Sequence, residues 1–334
     1  MEFSPTRYDN MQYRRCGRSG LMLPAISLGA YETYGSYVGE DVARACLYRA
    51  FDLGITHFDL ANNYGVPPGN AEIMVGNILK SMPRDELIIS TKAGWRMWPG
   101  PYGEWLSKKY LVASLDQSLQ RLGLDYVDIY YAHRPDPHTP LEETMEALDL
   151  IVRQGKALYV GVSSFSGAHF EEACKVVERR GLSHILIHQP HYSMLDRRIE
   201  WDLLDHTKRN GTGVITFGSL GAGLLTSKYL SGDIPEDSRA GALWGERAKS
   251  RITPEVLAKV RALNDIAARR GQTLAQMAIA WVLRLPEITS VLVGASRVSQ
   301  LEENVAALSS LEFSPEELAE IDAITAGYGP SPLR

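Results

Sequence analysis

Residues 127–164 read VDIYYAHRPDPHTPLEETMEALDLIVRQGKALYVGVSS. Two short runs rich in β-branched and aromatic residues, VDIYYAH (127–133) and ALYVGVSS (157–164), flank a segment of helical period from Leu141 to Gln154 that stops at Gly155. Strand, helix and strand in that order make a βαβ unit with parallel strands, because the connection is far too long for a hairpin.

The same alternation extends in both directions. Upstream, strands are expected at AISLGA (25–30), HFDLA (57–61) and ELIISTK (86–92); downstream, at HILIHQP (184–190), TGVITFG (212–218) and SVLVGA (290–295). Helices are expected over Asp41 to Leu53, Lys109 to Leu122, Ala168 to Arg180, Pro254 to Arg270 and Val298 to Leu308. Thr253-Pro254 supplies an N-cap followed by proline at the first helical position, and Gly54, Gly123, Gly181 and Gly271 stand just past helix ends. Eight strands, each with its helix, are the arithmetic of a (β/α)8 barrel, for which roughly 250 residues suffice. The 334 residues therefore predict a single α/β barrel domain over 1–334, with an N-terminal β-hairpin at 11–24, extra helices and loops, and a tail at 327–334. A doubly wound sheet would need a glycine-rich dinucleotide turn after its first strand. GAYETYG (29–35) lacks GxGxxG, and GAGLLT (221–226) follows the seventh strand and misses the third glycine.

Composition removes several classes of function. The chain is 45% hydrophobic and 22% charged with a net charge of −5, and no run of five like charges occurs, so no nucleic-acid or membrane partner is expected. Three scattered cysteines, the lack of a CxxC pair and the absence of an apolar leader in MEFSPTRYDN suit a reducing, cytoplasmic setting. His184, His188 and His191 have no carboxylate at a useful spacing, so no metal is expected. Asp196-Arg197-Arg198 reads as a solvated helix start.

All strand C-termini of a barrel open at one mouth, and the polar residues there are the informative ones. Asp59 ends the second strand, with Tyr64 in the following turn; Lys92 ends the third, His133 the fourth, Ser163 and Ser164 the fifth and Gln189 the sixth. An ammonium pinned by a carboxylate stabilises phenolate, so Lys92 with Asp59 is expected to pull the Tyr64 hydroxyl below its ordinary value and make it a general acid. His133 would hydrogen-bond the same carbonyl oxygen. The loop 93–107, with Trp95, Trp98, Tyr102 and Trp105, is expected to shape a substrate pocket, and Arg96, Lys108 and Arg134 are candidates for a phosphate contact. SRVSQLEEN (296–304) starts a helix after the last strand, and a helix N-terminus with Arg297 beside Ser296 suits a phosphate group.

FDLANNYG (58–65), STKAG (90–94), YYAHRPD (130–136), GVSSF (161–165) and QPHY (189–192) resemble the successive motifs of the aldo-keto reductases, NADPH-dependent barrel enzymes that reduce aldehydes and ketones. QYRRCGRSGLMLPAISLG (12–29), MWPGPYG (97–103) and VLVGASRVSQLEENVAAL (291–308) are similar to the branch of that family that holds bacterial triose-phosphate reductases and potassium-channel β subunits. The resemblance implies Tyr64 as proton donor, Asp59 and Lys92 as its activators and His133 as the group that orients the carbonyl. It implies NADP(H) as cofactor, with Ser163, Ser164 and Gln189, beside Asp59, at the nicotinamide carboxamide and Phe217 stacked on the ring. Tyr31, Gly218, Ser219, Leu220, Gly221, Gly223, Lys228, Arg239 and Gly294 would contact the cofactor along its length. Ser296, Arg297, Gln300, Glu303 and Asn304 would hold the adenosine end. Tyr31, Tyr64, Trp95, Trp98 and His133 would face a small carbonyl substrate such as L-glyceraldehyde 3-phosphate or methylglyoxal, in a homo-oligomer of four or more subunits. The family commonly has Asn where Ser164 stands, and related members often have Pro at the position of Ser219. Channel β subunits carry Asn at the position of His133, so His133 favours a working reductase over a cofactor-binding regulatory subunit with incidental turnover. A Schiff-base aldolase using Lys92 is the third reading.

Overall fold

Eight parallel strands close on themselves in the order β10-β3-β4-β5-β6-β7-β8-β9. They are β3 (Ile26–Gly29), β4 (His57–Asp59), β5 (Ile88–Ala93), β6 (Val127–Ala132), β7 (Ala157–Ser163), β8 (Ile185–Gln189), β9 (Gly213–Thr216) and β10 (Ile288–Val293). The computed structural model describes residues 3–233 and 252–326; Arg239 and the tail 327–334 lie outside them. Each of the eight expected strands is present. Most are one to three residues shorter than the sequence runs suggest, whereas β10 begins two residues earlier, at Ile288.

Contacts divide the chain into two compact units. The first, Met1–Pro190, Ile199–Phe217 and Glu287–Glu302, contains the whole barrel. Its helices are α1 (Glu40–Asp52), α2 (Asn70–Leu79), α3 (Lys108–Leu122), α4 (Leu141–Arg153), α5 (Gly167–Arg180), α6 (Ile199–Asp202) and α7 (Leu204–Asn210). Ser107 and Ser166 accept the N3 amides of α3 and α5, and Gly123 and Gly181, expected just past the helix ends, take left-handed conformations there.

The expected hairpin pairs β1 (Tyr13–Arg15) with β2 (Met22–Pro24) antiparallel. Cys16 and Leu23, both fully buried, pack in one apolar cluster with Ile129, Tyr131, Leu186, Ile187 and Ile215. The Arg18 amide also donates to the Gly211 carbonyl, just ahead of β9, so the hairpin closes the N-terminal end of the barrel. No Cβ fits at Gly17, where one would stand 2.1 Å from that carbonyl oxygen.

The second unit, His191–Arg198, Gly218–Pro286 and Glu303–Arg334, holds α8 (Pro254–Arg269), α9 (Leu274–Leu283) and α11 (Pro315–Thr325); α10 (Val298–Val305) crosses the boundary between the units. Its centre is the buried Trp281, with Tyr192 tilted against it at 5.3 Å and the Arg284 guanidinium 3.6 Å from its ring. Asp196 departs from the expected solvated helix start. It is buried, paired with Arg198 and bonded to His191, and those partners hold its carboxyl well below the ordinary value against the penalty of burial.

Candidate active site

Strand alternation sends Asp59 and His57 of β4, and Lys92 and Ser90 of β5, to one face, where the register His57↔Ile88 and Asp59↔Ser90 brings them together. Lys92 Nζ donates to Asp59 Oδ2 at 2.5 Å and to the Leu60 carbonyl at 2.6 Å, and lies 3.5 Å from the Tyr64 hydroxyl. The ammonium stands 5.1 Å from the Tyr64 ring centroid and 5.7 Å from that of Tyr131, within cation–π range of both. Asp59 Oδ1 accepts from Ser90 Oγ at 2.6 Å and from Gln189 Nε2 at 3.2 Å. The His133 ring stands 5.8 Å from that of Tyr64, Tyr31 is 5.0 Å from Tyr64, and Trp95 is 6.3 Å from His133. Tyr31 and Trp95 are exposed, while Asp59, Tyr64 and Lys92 are buried.

The electrostatics differ from the expectation in one respect. Burial, followed by the nearby Asp59, Tyr31 and Glu32, holds the Tyr64 hydroxyl well above the ordinary phenol value rather than below it. The reason is that a buried phenolate would have to shed its water, while the Asp59 carboxylate opposes the field of the lysine. Burial likewise pulls Lys92 down, with Asp59 and then Glu72 opposing it. His133 is held well below the ordinary histidine value by burial, Lys92 and Arg134, so its imidazole is neutral. Its Nδ1 is buried without a hydrogen-bond partner among the described residues.

The remaining expected residues divide. Ser163 and Gln189 are register partners at the ends of β7 and β8, with Ser163 Oγ donating to the Gln189 carbonyl at 2.8 Å. Ser164 follows in a left-handed conformation, φ 60°, a region in which Asn is enriched among non-glycine residues. The Phe217 amide donates to the Pro190 carbonyl. Ser296, just ahead of α10, donates to Gln300 within that helix at 3.0 Å, with Gly294 and Arg297 exposed nearby. Gly218, Ser219, Leu220, Gly221, Gly223 and Lys228 belong to the second unit, as do Glu303 and Asn304; Gly218, Gly221 and Gly223 all have positive φ, which suits a glycine-rich turn. The Trp98 ring packs at 5.2 Å on that of Tyr110. Arg134 is engaged, with its guanidinium between Trp95 (3.8 Å) and Trp105 (3.9 Å) and paired with Glu104, and Lys108 pairs with Glu146. Of the three basic candidates for a phosphate contact, Arg96 alone is exposed with no ion pair among the described residues.

Sequence reasoning missed Glu32, close enough to Tyr64 to raise it, and a buried run of polar groups beneath Asp59. His57 Nε2 lies 2.9 Å from Ser90 Oγ, His57 Nδ1 is 3.0 Å from Ser27 Oγ, and Ser27 Oγ is 2.7 Å from Ser290 Oγ. The spacing of His57 to Asp59 and of Ser90 to Lys92, two residues apart on strands, was the available signal.

A strand-end cluster of Asp, Tyr, Lys and His on a closed parallel barrel defines a class, and residues 25–326 match the aldo/keto reductase family model: the chain belongs to the aldo/keto reductase family and is an oxidoreductase. It is 55% identical over 331 residues to an L-glyceraldehyde 3-phosphate reductase of Escherichia coli K12, covering 96% of this chain and 94% of that protein. It is also 38% identical over 319 residues to a probable voltage-gated potassium channel subunit beta of Arabidopsis thaliana, covering 94% and 96%. A putative voltage-gated potassium channel subunit beta of Schizosaccharomyces pombe is 39% identical over 328 residues, covering 94% and 93%.

Proposed function

We propose that the chain reduces small aldehydes or ketones to alcohols with NADPH, with L-glyceraldehyde 3-phosphate and methylglyoxal as candidate substrates and Tyr64 as proton donor. The observation that carries this reading is the Lys92 ammonium, held by Asp59 and Leu60, next to the Tyr64 hydroxyl and beside His133. The donor set suits a nicotinamide: hydroxyls of Ser163 and Ser164 and the Gln189 amide stand at neighbouring strand ends, as a carboxamide requires. Arg297, exposed and free of ion pairs among the described residues at the start of α10, suits the 2′-phosphate that distinguishes NADPH. Bound there, the reduced nicotinamide would supply the hydride.

The residues do the rest. Neutral His133 donates a hydrogen bond to the substrate oxygen and fixes its direction. Tyr64, kept protonated by burial, gives its proton to the developing alkoxide, a much stronger base than phenolate, so prior acidification of the phenol is not required. Lys92 then faces a tyrosinate, and its charge stabilises that product state. Tyr31 and Trp95 wall the mouth.

Tyr64→Phe is expected to abolish aldehyde-dependent NADPH oxidation while leaving cofactor binding, followed by fluorescence titration, intact. Full residual turnover rules out the assigned role.

A further inference from the structure

The run of polar groups under Asp59 has a direction that the chemistry of each member dictates. Asp59 takes three donors on its two oxygens, Lys92 Nζ on Oδ2 and Ser90 Oγ and Gln189 Nε2 on Oδ1, which casts it as a carboxylate that only accepts. A serine hydroxyl has one proton. Ser90 spends its proton on Asp59 and must therefore accept at 2.9 Å from His57 Nε2–H. A neutral imidazole with its proton on Nε2 presents a lone pair at Nδ1, so Ser27 must donate to it at 3.0 Å. Ser27 in turn has nothing left to give Ser290, 2.7 Å away, and accepts from it. Every dipole thus points the same way, from β10 through β3 and β4 to β5, and ends on the carboxylate.

We infer that His57 is a positioning residue, locked as the Nε2–H tautomer, which through Ser90 fixes Asp59 Oδ1 so that Oδ2 stays on Lys92 beside Tyr64. The inference rests on the proposed role of Asp59, Lys92 and Tyr64 in proton transfer. His57 is fully buried, and the charged groups facing it are Asp59 on its own strand and Lys92 on the next. Burial draws its imidazole down to about 4, against the attraction of Asp59 and with the repulsion of Lys92, so it stays neutral where the enzyme works. Hydrogen bonds that polarise one another in sequence strengthen the last of them, here the one to the carboxylate.

Nitrogen-15 NMR of the full-length protein labelled at histidine reads the tautomer directly, with His57→Gln used for assignment. The expected result is a protonated, pyrrole-type Nε2 and a bare, pyridine-type Nδ1 that persist as the pH falls through the ordinary histidine range; an Nδ1–H tautomer or an imidazolium overturns the inference. In steady-state assays His57→Leu is expected to lower kcat about ten- to hundredfold with KM within about twofold. His57→Gln, whose amide can still donate to Ser90, should recover most of that loss, and Ser90→Ala should resemble His57→Leu. Unchanged kcat in both His57→Leu and Ser90→Ala overturns the role. The tautomer needs no turnover to be measured, so failure of the Tyr64→Phe test and failure of this one are separate results.

Discussion

The two halves of the barrel wall are equally dry and chemically opposite. Strands β10, β3, β4 and β5 contribute Ser290, Ser27, His57 and Ser90; β6, β8 and β9 contribute Ile129, Tyr131, Ile187 and Ile215, and all eight side chains have no solvent exposure. The polar half is tolerated because each member finds its partner in sequence, and a buried hydrogen-bonded group avoids most of the desolvation cost that an orphan would bear. The apolar half gains from close packing instead, and its one polar atom among these four side chains, the Tyr131 hydroxyl, is buried without a hydrogen-bond partner among the described residues. Lys92 sits where they meet, with Asp59 on one side and the ring face of Tyr131 on the other. Burial therefore fixes how strongly groups act on one another here, and the choice of half fixes what they do.

The most disruptive test is to leave one charge of the polar half alone. Lys92→Met should cost about 3–5 kcal/mol of stability by stranding the Asp59 carboxylate, and adding Asp59→Asn should restore a large part of it; urea denaturation of the two variants checks this. Acid should act on a buried histidine in each half. The folded state keeps His57 neutral down to about 4, whereas the unfolded chain takes a proton near 6.5, so unfolding binds a proton and stability falls as the pH drops between those values. The full window is worth about 3 kcal/mol for His57. His188, drawn down to about 3 by burial, adds a similar slope, and His57→Gln should remove only its own share from the stability–pH curve. In the apolar half the sensitive point is Gly161, where an added Cβ would stand 2.6 Å from the Tyr131 ring and 2.7 Å from the Ile187 carbonyl oxygen. Gly161→Ala should cost about 1–3 kcal/mol through overpacking, with little change in the pH dependence. The smallest effect is expected at the rim. Ser164→Asn should stabilise by a few tenths up to about 1 kcal/mol in thermal melts, because Asn accepts the left-handed conformation more readily than Ser.

Much of this was legible in the amino-acid order. Short β-branched runs at regular spacing announce strands whatever their surroundings, and parallel topology then forces their polar ends to one mouth. That logic located Asp59, Tyr64, Lys92 and His133 without coordinates. Quantities that depend on what surrounds a group were not legible. Whether Lys92 acidifies Tyr64 turns on how far Asp59 neutralises it and how much water reaches the hydroxyl, and neither is written in the motif. Arg134 looked available for a phosphate until the folded loop set Trp95 and Trp105 on its two faces. Ser27, His57, Ser90 and Ser290 escaped notice because single serines and a histidine within strands look like filler, and only the register makes them consecutive. β10 started early because Ile288 and Thr289, which follow Pro286-Glu287, lengthen a strand that the apolar core of SVLVGA already marked.

The hairpin stopper changes what kind of vessel the barrel is. With Cys16 and Leu23 seated in its floor, the barrel is a cup and not a pipe. Among the described residues the exposed aromatics Tyr31 and Trp95 stand next to Tyr64 and His133, so a ligand seated against them would cover the Lys92–Asp59 pair. Deuterium from solvent should then label the hydroxyl of Tyr64 between visits by substrate rather than during them.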